Sequence, residues 1–188
     1  DGAVFIDFAG SDGDVMLQTS RKGWQDIDFI AHEFIKDTDV DHWKWFRTDY
    51  GNDEAISDGI HINIPTVSLS RFPYLEYHTD KDTPDIIHED KLVEMADIVE
   101  KLIRIFCTNY VPVATFDGVP FLSGYNMWID WAVDKEANNK LEHIFYNFDD
   151  EYASIFDISR DVSMDYWDVY AIVEKFRERG LVKVKWEK

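Results

Sequence analysis

The stretch of residues 64–85, IPTVSLSRFPYLEYHTDKDTPD, constrains this chain more than any other. Its first part, residues 64–69, is apolar and β-branched and reads as a strand. It empties into a polar segment holding Arg71, Glu76, His78, Asp80, Asp82 and Asp85. Pro73 and Pro84 fix φ at the two ends of that segment and deny it a ladder or a helix interior. A stiff loop beyond a strand end, dense in groups that titrate or bind metal, is where α/β scaffolds commonly carry their sites.

The pattern on either side is consistent with an α/β domain. Residues 4–9, VFIDFA, read as a buried strand of a mostly parallel sheet, closed by the turn Gly10-Ser11-Asp12-Gly13. Residues 15–18 can return as its antiparallel partner. Over residues 26–36, Ile27, Ile30, Ala31, Phe34 and Ile35 form one stripe, an amphipathic helix laid on the sheet. Residues 37–58 are irregular, with Trp43, Trp45, Phe46 and Tyr50 packing the loop down. From 89 to 106, the positions Leu92, Met95, Ala96, Val99, Leu102, Ile103 and Phe106 keep helix spacing for about five turns. That long helix ends a first domain at about residue 110.

Residues 111–136 form a Pro/Gly-punctuated connector whose scattered apolar residues mark it as packed. Beyond it, Leu141, Ile144, Phe145 and Phe148 make one helical stripe, and Tyr152, Ile155, Phe156 and Ile158 a second. A third helix, capped by Ser163, turns Tyr166, Trp167, Tyr170, Val173 and Phe176 inward and stops at Gly180. Residues 181–186 alternate as a strand. Three helices and a strand over residues 137–188 predict a winged-helix-like unit.

Composition narrows the functions available. The 188 residues carry 38 acidic and 19 basic side chains, a formal charge of −19, split −13 over residues 1–110 and −6 over the rest. Such a field repels phosphate backbones and anionic lipid, which argues against nucleic acid as a partner. In the third helix Asp165, Asp168, Glu174 and Glu178 oppose Lys175, Arg177 and Arg179, so the same holds there even though its topology invites a DNA reading. No apolar run approaches membrane-spanning length. The single cysteine, Cys107, excludes an internal disulfide and favours a reducing compartment, so the cytoplasm is the expected location. At the end of an apolar helix it reads as a buried thiol before it reads as a nucleophile. The chain opens at Asp1 without an initiator Met and is in a strand by Val4, which reads as a piece of a longer protein.

Two residues stand out as possible ligands. Asp7 sits inside an apolar strand, where a carboxylate must reach water, cap the turn or meet a cation. His78 stands in a loop where it satisfies no core position, and neutral imidazole is a good zinc donor. The carboxylates around it fit an orienting shell or a solvated acidic face equally well. Asp53 and Glu54 fit a local turn, a ligand or an orienting group. Two ligands alone are too few for a zinc site.

The sequence VFIDFAG followed by a helix, then GNDEAI, IPTVSLS and YHTDKDTPD, resembles the second half of the catalytic domain of co-catalytic zinc aminopeptidases and carboxypeptidases. The tail, from GVPFLSGYN onward, resembles bacterial aminopeptidase-like proteins in which that domain is followed by a winged-helix domain. The resemblance implies that Asp7 binds one metal and His78 the other across a shared cavity, and that Asp53 supports the site without binding metal. Asn52 and Glu54 depart from the family's Ser and His in that turn. Arg71 and Tyr77 lie near enough to His78 to line a substrate cleft. The remaining His, bridging Asp and Glu pair would precede Asp1. The implied activity is hydrolysis of an N-terminal peptide or related amide by the whole protein with one or two zinc ions, this segment being inactive and binding zinc weakly at most. A non-catalytic binding or regulatory module, interacting through the winged-helix-like unit, stays open. Trp128, Trp131, Tyr166, Trp167 and Tyr170 offer aromatic area for such an interaction, homo-oligomerisation included.

Overall fold

The computed structural model describes residues 2–33, 35, 43–149 and 152–185. The chain divides into two units, Asp1–Cys107 and Thr108–Lys188.

The first unit is built on a four-stranded sheet of order β1-β4-β2-β3, from β1 (Ala3–Ile6), β2 (Asp14–Gln18), β3 (Trp43–Lys44) and β4 (Thr66–Phe72). β4 is the centre: it pairs parallel with β1, Val4 opposite Val67 and Ile6 opposite Leu69, and antiparallel with β2, Leu17 opposite Leu69. β2 and β3 are parallel. The sheet is therefore mixed and mostly parallel. One expectation needs correction: β2 does not return against β1, because the chain goes on through β3 and inserts β4 between them. The strand predicted over residues 64–69 also begins two residues later and reaches Phe72.

Alternation gives the two faces of the sheet different chemistry. Val67, Leu69 and Arg71 share one face with Val15 and Leu17, and all five are buried. α1 (Asp26–Glu33) contacts β4, and α3 (Glu89–Thr108) reaches the β1–β2 turn, where Gly10 lies against the side chains of Ile87 and Leu92 with no room for a Cβ. Phe34 and Lys36, assigned to the first helix from sequence, lie outside the described residues. The other face is polar: Thr66, Ser68, Ser70 and Gln18 are all buried. The segment containing the short α2 (Glu54–Ser57) supplies partners for three of them. Ser57 and Thr66 hydroxyls meet at 2.7 Å, Ser70 donates to the Tyr50 hydroxyl at 2.8 Å, and Gln18 donates to Glu54 at 3.2 Å. Ser68 Oγ is buried with no hydrogen-bond partner among the described residues.

α3 buries Met95, Leu102 and Ile105, but Leu92, Val93 and Ile103 of its apolar surface stay exposed. Ile6, Ala9, Leu92, Met95 and Val99 line a cavity of about 510 Å³ beside the outer edge of β1. Cys107, expected to be buried, is exposed.

The second unit contains β5 (Pro112–Ala114), α4 (Lys135–Tyr146), α5 (Ile155–Asp161), α6 (Tyr166–Glu178) and β6 (Val182–Val184). β5, drawn from the predicted connector, pairs antiparallel with β6. Of the predicted stripes, Leu141, Ile144, Phe145, Phe148, Ile155, Phe156, Ile158, Tyr166, Val173 and Phe176 are buried, with Val169 beside them, while Tyr152 and Trp167, both expected inside, are exposed. Asp134 caps α4, and Ser154 and Asp157 form a reciprocal capping box on α5. α6 is capped by Asp165, whose carboxylate accepts from Trp167 N–H; Ser163, the predicted cap, instead takes a left-handed turn residue's conformation (φ 51°). Gly180 at φ 71° closes α6: its N–H donates to Arg177 and that of Leu181 to Phe176, satisfying the last carbonyls. Trp186 and Lys188 lie outside the described residues.

Candidate functional site

Because β1 and β4 run parallel and adjacent, the loops that follow them leave from the same end of the sheet. Asp7 is the first residue past β1, still tied to β4 by its N–H donating to Leu69 O at 3.1 Å. The next residue, Phe8, adopts φ 50°, a left-handed conformation uncommon for a large side chain, and so ends the strand sharply. Phe8 N–H donates to Asp7 Oδ1 at 2.9 Å and Asn52 Nδ2 donates to Oδ2 at 2.9 Å. Burial pushes the Asp7 carboxyl above its ordinary range; the two hydrogen bonds pull it back, and the nearby Glu54 charge adds to the rise.

His78 lies in the loop after β4, at φ 60°, exposed, with its ring stacked on Tyr77 at 3.8 Å between centroids. Tyr77 in turn meets Phe8 edge-on at 5.2 Å, and Tyr74 lies 4.4 Å from Phe8. The two candidate ligands therefore sit at opposite ends of one aromatic cluster, Asp7 beside Phe8 and His78 beside Tyr77. The Tyr74 hydroxyl, bonded to Asp82 at 2.6 Å, is pushed up to about 12, first by that carboxylate as acceptor. It stays a donor at neutral pH and fastens the start of the loop to its middle.

Asp53 precedes α2 with its side chain exposed and making no cap hydrogen bond. The support that reaches Asp7 comes from its neighbour Asn52. Glu54, in turn, is buried and fixes Asn52: its Oε2 accepts from Asn52 N–H at 2.7 Å, and its Oε1 takes Gln18 Nε2 at 3.2 Å and Arg47 Nη1 at 3.3 Å. The GNDE turn is thus a polar scaffold behind Asp7. The sequence marks the GNDE turn as polar, but only tertiary pairing shows which of its four residues reaches Asp7.

Arg71 is 1% exposed. Its guanidinium donates to the carbonyls of Ala9, Gly13 and Lys91 and to Glu94 at 2.6 Å. Those four bonds tie β4 to the β1–β2 turn and to α3, so Arg71 shapes the loop carrying Phe8 rather than opening onto a cleft. Tyr77 is exposed and lies within the aromatic cluster.

A zinc centre takes three or four protein ligands. No group of three His, Cys, Asp or Glu side chains among the described residues is arranged to hold a metal. Asp7 and His78 alone do not fit a zinc centre.

Residues 2–109 match a family described as a domain of unknown function, DUF4910. The chain belongs to this family. Outside the matched region, the DUF4910 chain continues into the second unit, and the fold of both parts has a solved counterpart. A crystal structure at 2.37 Å resolution of a "putative peptidase" from Clostridium acetobutylicum matches with a TM-score of 0.72 at 19% identity. The match covers 96% of this chain and 41% of that one, so this chain spans less than half the length of its structural relative. The DUF4910 chain thus has a peptidase-like fold. Comparison with curated proteins gives no match.

Proposed function

We propose that this chain is part of a metal-dependent aminopeptidase-like hydrolase, acting in the whole protein on N-terminal peptide bonds or related amides. Asp7 and His78 would be its share of a zinc ligand set completed by residues elsewhere in the parent protein, and the segment alone is inactive. The observation that carries the reading is the convergence of the loops after β1 and β4, which sets Asp7 and His78 on one aromatic cluster. Phe8 N–H and Asn52 would orient the Asp7 carboxylate, Tyr77 would hold the His78 ring by stacking, and Tyr77 would line the approach for substrate. The second unit, with three helices and a two-stranded sheet, reads as winged-helix-like, and its acidic surface suits protein contacts better than nucleic acid.

A second reading has its own observation. Both Asp7 oxygens already accept hydrogen bonds from the chain, which suits a non-catalytic binding or regulatory module that keeps the peptidase-like fold. Metal analysis of the full-length protein separates the two. On the hydrolase reading, zinc co-purifies, and Asp7→Ala and His78→Ala each lower both zinc content and cleavage of aminoacyl anilides by about a hundredfold or more. Full-length protein that is metal-free and inactive after reconstitution with zinc would leave the binding module. For this 188-residue chain, calorimetry should give zinc binding no tighter than micromolar; a sub-micromolar site lost in His78→Ala would contradict the half-site.

A further inference from the structure

The second unit holds a cavity of about 490 Å³ between residues 126–129, the start of α4 and the later turns of α6. That volume is in the range of small-molecule sites, roughly 300–1,000 Å³. Its apolar wall is made by Trp128, Leu141, Met164 and Ile172, and Trp128 is 60% exposed. A ring of that size beside a concave apolar surface offers contact area to an apolar group.

The charges on the rim are unevenly satisfied. Glu136 and Lys140 neutralise each other at 2.7 Å, one turn apart on α4. Asp134 spends Oδ1 on the N–H of Ala137 at 2.9 Å, while Oδ2 accepts nothing among the described residues. Lys175, also on the cavity wall, enters no ion pair among the described residues, in a chain with twice as many acidic as basic side chains. Asp134 and Lys175 thus stand on the rim of the same hollow, both exposed to solvent, the lysine outside any ion pair among the described residues and the aspartate with one oxygen unused by them. A simple anion would meet Lys175 but suffer Asp134, and a phosphate would bring more negative charge than one lysine offsets. A zwitterion satisfies both.

We propose that this cavity binds a free α-amino acid with a large apolar side chain, its carboxylate on Lys175, its ammonium on Asp134, and its side chain against Trp128, Leu141 and Ile172. Charge-assisted hydrogen bonds at both ends set orientation, and the apolar wall selects the side chain. The site lies wholly in the second unit and stands or falls independently of the zinc reading.

Calorimetric titration of the whole 188-residue chain tests it, using L-leucine and L-phenylalanine, with glycine, leucinamide and N-acetylleucine as probes lacking the side chain, the carboxylate charge and the ammonium. Saturable binding of leucine or phenylalanine is expected, weakened about tenfold or more for each of the three probes, as loss of one charged hydrogen bond or the buried side chain would do. Lys175→Ala should weaken leucine by a similar factor, Lys175→Arg should largely keep it, and circular dichroism checks that each variant is folded. Trp128→Ala, altering an exposed ring, gives a second route to the same loss. Absence of saturable heat up to about 10 mM ligand, equal binding of leucine and leucinamide or of leucine and N-acetylleucine, or binding indifferent to both Lys175→Ala and Trp128→Ala would each overturn the proposal.

Discussion

Arg71 shows how linear proximity misleads at the scale of a residue. Seven positions before His78, in a polar stretch, it reads as a cleft residue; in the fold it is the end of a strand and turns inward. A charge removed from water this completely is tolerated only because three carbonyls and Glu94 surround it. Replacing it with Met strips this donor from the Ala9 and Gly13 carbonyls and leaves Glu94 without its cation, so Arg71→Met should cost about 3 kcal/mol or more in urea unfolding, with the m-value unchanged. The lesson for Asp53 is the same. Sequence places a polar turn near Asp7 correctly, but the side chain that reaches across is Asn52, and a one-residue choice of this kind depends on backbone direction that no local pattern encodes. Asp7 draws notice in the sequence because a carboxylate inside VFIDFA has few tolerable environments; in the fold it accepts from Phe8 N–H and from Asn52.

Tyrosines in the second unit make a pH prediction. Burial raises the Tyr166 hydroxyl to about 12 from 10.0, and burial together with the Glu174 acceptor raises Tyr110 further. The unfolded chain releases these protons first, so their contribution to stability is intact below pH 10 and is lost as pH climbs through the folded values. Tyr166→Phe should flatten the fall in the urea midpoint between about pH 10 and pH 12 relative to the parent, and leave the slope near pH 8 unchanged.

At the scale of elements, helices announced themselves well and their ends less well. The apolar stripes of α3, α4, α5 and α6 follow the 3.6-residue period, and all four are present. The start of α6 was misplaced by two residues because Ser163 and Asp165 are both good cap residues, and only the left-handed φ of Ser163 excludes it. The capping box on α5 offers a clean test: Ser154→Ala should cost about 1 kcal/mol, measured by thermal or urea unfolding. At the C-terminal end of α6, an added Cβ at Gly180 meets nothing within 4 Å, so Gly180→Ala costs only the left-handed backbone, about 1 kcal/mol. A larger loss there would mean that the space is needed by something else. Strand pairing was the least legible feature. That β2 follows β1 after a two-glycine turn is a local fact, whereas the insertion of β4 between them is decided by contacts some fifty residues apart.

For the molecule as a whole, charge is the dominant global quantity. A formal charge of −19 on 188 residues destabilises any compact state through self-repulsion, and mobile ions relieve it. Raising NaCl from about 20 mM to about 500 mM, across which the screening length falls several-fold, should raise the melting midpoint measurably. A midpoint indifferent to salt would mean that local pairing, such as Arg71 with Glu94 or Arg21 with Asp58, already offsets the excess. Among the described residues no helix is long and apolar enough to cross a membrane, in line with the sequence pattern. The α/β class was legible because apolar runs and amphipathic stripes alternate along the first hundred residues. For a site, the sequence offers two candidate residues and no more, and a structural relative more than twice as long shares the fold with this chain.

Among the described residues β1 is paired on one side only: Ala3 and Asp7 direct their N–H groups to β4, and the alternate residues Val4 and Ile6 turn theirs outward, with Ile6 45% exposed. In practical handling that border is adhesive. Concentrated solutions of the 188-residue chain should form reversible aggregates by edge-to-edge pairing, and a lysine at position 6, which makes such stacking repulsive, should keep them dispersed in light scattering.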